Sequence, residues 1–170
     1  MKRQSSTTTS VVDEITFFGT HKIPLEVKRI IPILPLLSSR STNKVIKLVV
    51  EYVMGPDLNV YDPKLAEQMI GTKNAKDLEK INKLLETELS AGIEKLKKKS
   101  DIEHAKYAQK TGIFSVLFTG FYCILRACIR HKLSSEDFKL QLIHLQLDEK
   151  IVNLLYNVID KQYIFVYNHK

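Results

Sequence analysis

Between positions 113 and 129 the chain runs for seventeen residues with Arg126 as the sole charge. A helix this apolar all round is stable only where every side is covered, by protein core or by lipid. Ser115, Thr119, Gly120 and Arg126 interrupt the run, leaving its unbroken apolar part shorter than the ~20 residues a bilayer requires. The run is therefore expected to be the central buried helix of a soluble domain, with the rest of the chain arranged around it. Six Gly and five Pro in 170 residues supply little material for hairpins. The expected fold class is all-α, a compact helical bundle of about six helices.

The flanking patterns are helical too. Residues 1–14 are expected to be a disordered arm, since MKRQSSTTTS has no apolar side chain after Met1. Order is expected to begin at Ile15-Thr16-Phe17-Phe18-Gly19. After Pro24, residues Val27, Ile30 and Ile31 share a face until Pro32 and Pro35 break it. Ser41 opens a helix carrying Val45, Leu48, Val49, Tyr52 and Val53, which Gly55-Pro56 ends. Asp62-Pro63 supplies an N-cap and first-turn proline for a short helix with Leu65 and Met69, stopping at Gly71.

From 74 to 99, Leu78, Ile81, Leu84, Leu85, Leu89, Ile93 and Leu96 recur in steps of three and four among Lys and Glu. This predicts a long amphipathic helix or a coiled-coil seam, weakened at Gly92 by ~1 kcal/mol relative to alanine. Ser100 with Glu103 reads as a capping box that restarts the helix. The stretch 72–110 is expected to project from the bundle as a charged helical insertion. Ser134 and Asp137 predict a cap for a helix with Phe138, Leu142 and Leu145, although the alternation Leu140-Gln141-Leu142 also fits a strand. Asp148 opens a final helix with Ile151, Leu154, Leu155 and Val158, and 161–170 form a short tail.

The chemistry-bearing residue types are scattered. The histidines at 21, 104, 131, 144 and 169 pair with no cysteine or second histidine at ligand spacing, although His131 and His144 could meet across the turn at Leu133. Cys123 and Cys128, five apart in one helix, point in different directions and read as small hydrophobes in a reducing compartment. Glu136-Asp137 and Asp148-Glu149 begin helices, where the dipole favours negative charge. No serine lies in a nucleophile elbow and no glycine-rich loop could cradle a phosphate. Neither enzyme activity nor a cofactor or metal is expected.

The formal net charge is +7. It concentrates at Lys95, Lys97, Lys98, Lys99, Lys106 and Lys110 against Glu94, Asp101 and Glu103. Lysines without interleaved arginines or rings make poor base readers, so the run reads first as a solvated helix face. Lys95, Lys97, Lys98 and Lys99 are also the candidate contact for an anionic membrane surface. Helix-turn-helix DNA binding is a second alternative. In it the helix from Ser134 would have Gln141 as its one good base reader, behind an acidic start.

The stretch Gly120-Phe121-Tyr122-Cys123-Ile124-Leu125-Arg126-Ala127-Cys128-Ile129-Arg130-His131-Lys132-Leu133-Ser134-Ser135-Glu136-Asp137-Phe138 resembles the helical N-terminal domain of the COMM domain-containing proteins. There too an aromatic and leucine-rich helix runs into a basic turn and a Ser/Asp/Glu-capped helix. Ile15-Thr16-Phe17-Phe18-Gly19, Pro24-Leu25-Glu26-Val27 and Lys44-Val45-Ile46-Lys47-Leu48-Val49-Val50 extend the likeness, which spans 15–71 and 111–160. The family is defined by a C-terminal α/β COMM domain with a tryptophan near its start. This sequence has no Trp and ends ten residues after Asp160, so that domain is expected to be missing.

The resemblance implies a scaffold subunit of the Commander assembly for endosomal cargo recycling, with links to NF-κB regulation and copper homeostasis. It implies other COMM domain-containing proteins and coiled-coil subunits as partners. The expected location is cytoplasmic, at endosomes, with room for a nuclear pool. Without the COMM domain, self-association is expected to be weak and to run through the Leu78 to Leu96 seam.

Overall fold

Pro24 takes an extended conformation (φ −54°, ψ 144°), and the chain enters a helix directly after it. A computed structural model describes residues 23–53 and 75–161. Over these residues the protein is all-α, as the patterning predicts. The helices are α1 (Leu25–Ile30), α2 (Ser39–Val53), α3 (Ala75–Ile93), α4 (Lys99–Thr111), α5 (Ile113–Arg130), α6 (Ser135–His144) and α7 (Glu149–Lys161), with a 3-10 turn at Leu34–Leu36 after α1. Among the described residues alone there are seven α-helices, where about six were expected for the bundle. The readings of residues 1–14 as an arm, at Ile15-Thr16-Phe17-Phe18-Gly19, at Asp62 to Gly71 and of the tail from 162 onward lie outside the described residues.

The apolar run is α5, and α1, α2, α3 and α4 all pack on it. Twelve of its eighteen residues are buried, Leu117, Phe118, Phe121, Ile124 and Leu125 completely. Its length and composition would allow it to cross a membrane, yet here the covering is supplied by the other helices. Phe114, Phe118 and Tyr122 form a ladder one turn apart, with ring centroids separated by 5.8 and 6.5 Å. Gly120 permits the closest approach: a Cβ there would lie 2.7 Å from two Ile30 side-chain carbons and 3.0 Å from the Glu26 carbonyl oxygen. Helix α7 closes the far side by packing on α2, and α6 packs on α7.

The segment 75–111 departs from expectation. It is not a projecting arm; the long amphipathic helix and the restart after it are both present, but the first helix ends at Ile93, short of the expected 99. Helix α3 stops at Ile93, α4 begins at Lys99, and both lie against α5. Ile81, Leu85 and Leu89 of α3, with Ala105 and Ala108 of α4, belong to the same core as α5. The middle of the stripe read as a free seam, Ile81, Leu85 and Leu89, is therefore already buried inside the molecule, while Leu84 stays exposed. Gly92 also gains a reason, because a Cβ there would lie 2.9 Å from Leu36 Cβ of the 3-10 turn.

Polar side chains of α3 complete two other helices. The Asn82 carbonyl oxygen accepts from Phe114 N at 3.3 Å, in the first turn of α5. Gly112, which precedes that turn, has no side chain to do so. Glu88 accepts from Ser38 N at 2.8 Å and from Ser41 Oγ at 3.2 Å, at the start of α2. A carboxylate at a helix amino terminus meets both unpaired N–H groups and the positive end of the dipole.

Three predicted caps shift or hold. Ser38, not Ser41, begins α2, its Oγ accepting from Ser41 N at 3.2 Å. Helix α4 starts at Lys99, so its N-cap is Lys98, two residues before the Ser100 of the expected box, with no side-chain cap bond. Ser134 caps α6 as read, accepting from Asp137 N at 3.2 Å, and residues 140–142 are helical.

Candidate interaction surfaces

Two helix ends shape the turn-rich side of the molecule. Helix α5 ends with Leu133 N donating to Cys128 O and Lys132 N to Ile129 O, both at 3.1 Å. Helix α6 repeats the pattern, from Leu147 N to Leu142 O at 3.4 Å and Gln146 N to Ile143 O at 2.9 Å. These are Schellman motifs, in which one residue must adopt a left-handed conformation. Here that residue is Lys132 (φ 52°) and then Gln146 (φ 64°), neither of them glycine. Leu133 and Leu147 follow and are buried, which fixes where α6 and α7 start.

The outer face of α6 is apolar. Leu140 is 46 % exposed and Ile143 59 %, while Phe138, Gln141 and Leu142 point inward. Glu136 and His144 are exposed at the two ends of the same face. Gln141, the side chain on which the DNA-binding alternative relied, is only 2 % exposed and its amide nitrogen has no hydrogen-bond partner. It cannot reach a base edge.

A second surface lies between α2 and α3. Lys44, Lys47, Leu48 and Glu51 face Asp77, Lys80, Ile81 and Leu84 across an open groove of about 430 Å³. Each set of four follows a spacing of three, four and seven, which keeps it within about 100° of its helix. Leu84 is 41 % exposed. The bonds from Ser38 and Ser41 to Glu88 set the register: the start of α2 lies beside the end of α3. The groove therefore runs from a basic end at Lys44, past Leu84, Leu48 and Ile81, to an acidic end at Glu51 and Asp77.

The four candidate anion-contacting lysines lie together at the corner between α3 and α4. Lys95, Lys97 and Lys98 belong to the connection and Lys99 opens α4, so they form a corner and not a face of a continuous helix. All four are exposed.

His131 and His144 are both exposed. Among the described residues no group of three or more His, Cys, Asp and Glu side chains comes close enough to hold a metal ion. Cys123 and Cys128 are unbridged thiols. Burial, with the Glu26 carboxylate adding to it and Arg130 opposing, pushes the Cys123 thiol up to about 11 from 9.0. A thiol held protonated this firmly is a poor nucleophile near neutral pH.

Sequence reasoning missed the α2–α3 groove because it treated α3 as outside the bundle. It also missed the outer face of α6, although the spacing of Leu140 and Ile143 beside the inward Phe138 and Leu142 was available as a signal. Compared with known protein families, with curated proteins and with solved structures, the chain has no match.

Proposed function

We propose that this chain is a non-catalytic interaction module, a scaffold subunit related to the COMM domain-containing proteins and acting in the Commander assembly for endosomal recycling. The observation that carries the reading is the unit formed by α5 and α6. The stretch bearing the resemblance is a buried helix, a turn exposing Arg130, His131 and Lys132, and a Ser134-capped helix. The stretches around Val27 and Val45 look most like COMM domain-containing protein 5. The exposed α6 face and the α2–α3 groove are surfaces of the kind that bind protein helices.

On this reading the partners are other COMM domain-containing proteins and coiled-coil subunits. The work is done in the cytoplasm at endosomes, with effects on NF-κB regulation. A tagged chain expressed in cells should co-purify with these partners, and less so when Leu140 and Ile143 are both replaced by Lys. Failure to recover any of them contradicts the family reading.

The exposed lysines at the α3–α4 corner favour one second reading, contact with an anionic membrane surface. Binding to phosphatidylserine vesicles that falls steeply with salt and is lost on changing Lys95, Lys97, Lys98 and Lys99 to Glu would support it instead.

A further inference from the structure

We propose that α6 is a releasable segment: it leaves its seat on α7 and unravels while the other helices stay packed, with Lys132 and Gln146 as its two joints. Such a release would hold whatever family the chain belongs to. Three independent features weaken the seat.

The first is Gln141. Its side chain is 2 % exposed, and its amide nitrogen finds no hydrogen-bond partner among the described residues. A donor sealed from water without an acceptor has lost its hydration with no compensating bond. Release returns it to water, so the cost falls on the seated state alone. The second feature lies at the two ends of the segment. Lys132 and Gln146 hold φ of 52° and 64°, a region that disfavours any residue with a Cβ. Both are kept there while Leu133 and Leu147 turn back into the core, and both can relax when the segment lets go.

The third is thin anchoring. Phe138 and Leu142 are the large apolar side chains of α6 that are buried, while Leu140 and Ile143 stay exposed. Helix α6 packs chiefly on α7, whereas α5 is packed by α1, α2, α3 and α4. Lys139 adds one contact to the seat, its Nζ lying 4.5 Å from the ring centre of half-buried Tyr156. The helix itself starts well, since Ser134 caps it, so the weakness belongs to the seat. Once released, a ten-residue helix unravels, because isolated helices shorter than ~12–15 residues are marginal in water. Helix α7 keeps its place through its own packing on α2. Release therefore uncovers the face of α7 around Tyr156 and puts Phe138 and Leu142 into solvent, as a local opening below the global transition.

Native-state hydrogen exchange on the 170-residue chain, followed through low urea concentrations, tests this. Corrected for intrinsic rates, the amides at Leu142 and Ile143 should exchange roughly a hundredfold faster than those at Leu117 and Phe121, with a weaker dependence on urea. The amide of Leu155 in α7 should keep the slow rate of α5. Gln141→Leu fills the same place without the orphaned donor and should slow α6 exchange by about fivefold or more. Lys132→Gly combined with Gln146→Gly should slow it too, by relieving both joints. An unchanged circular dichroism spectrum would verify that each variant folds alike. The proposal is overturned if the α6 amides open with the free energy and urea dependence of α5. It is equally overturned if Leu155 opens together with α6, or if either set of substitutions leaves α6 exchange unslowed.

Discussion

Lys132 and Gln146 hold left-handed backbone at the ends of α5 and α6, φ 52° and 64°, where a side chain costs ~1–2 kcal/mol. Their conformations are imposed by Leu133 and Leu147, which must turn back into the core. Lys132→Gly and Gln146→Gly should therefore each stabilise the protein by ~1 kcal/mol, read as a higher urea midpoint with unchanged slope. Cys123 gives a pH signature. Its folded thiol keeps the proton up to about 11 instead of 9.0. The folded state thus binds more protons between these values, and its advantage is complete below pH 9 and lost as pH rises towards 11. The stability difference between the native chain and Cys123→Ala should be flat from pH 6 to 8.5 and shrink between pH 9 and 11. At this scale the sequence was legible where one residue type has one use. Ser134 announced its cap and Cys128 its burial. Gly92 and Gly120 were opaque, because what forbids a Cβ at each is a side chain more than fifty residues away in sequence.

Whole helices read well where their amphipathic stripes had a single interpretation. Helices α2, α5 and α7 follow their apolar spacing, and Pro24 and Pro35 punctuate the chain as expected. The α3–α4 region did not read well, since a stripe with steps of three and four looks the same whether a helix covers it from within the molecule or from outside. The restart near residue 100 was legible, but the earlier end at Ile93 was hidden by the continuing stripe at Ile93 and Leu96, both half-buried against the core. Arg29 ties α4 back to α1: its Nη1 donates to Tyr107 Oη at 2.9 Å and its guanidinium lies 3.8 Å from the ring centre. No local signal announces that pair. The uncapped start of α4 yields a prediction at this scale. Lys98 occupies the N-cap with no side-chain bond, followed by Lys99 at the positive end of the dipole. Lys98→Asp should raise stability by about 1 kcal/mol. Replacing Lys97, Lys98 and Lys99 together by Glu should not lower the melting temperature. A marked loss in either variant would mean that the corner packs against something in the folded chain.

At the scale of the whole molecule, a single bundle is built on α5, with α3 and α4 as structural members of it. Removing part of the shared centre should weaken every helix together. Leu117→Ala, at a position with no exposure, should cost ~2–5 kcal/mol, with circular dichroism and Tyr fluorescence reporting one coincident transition. The all-α class and the central place of residues 113–129 were legible because so apolar a helix has few ways to be covered. What surrounds it was not, since Asn82 completing α5 and Glu88 completing α2 are long-range bonds. The most direct test of the claim is native-state hydrogen exchange, comparing core amides of α3 and α4 with those of α5. The best-protected amides at Leu85, Leu89 and Ala108 should open with the same free energy as those at Leu117 and Phe121, and shift equally in Leu117→Ala. Amides of residues 75–111 that exchange freely while α5 stays protected would contradict it, and would return that segment to the status of an arm.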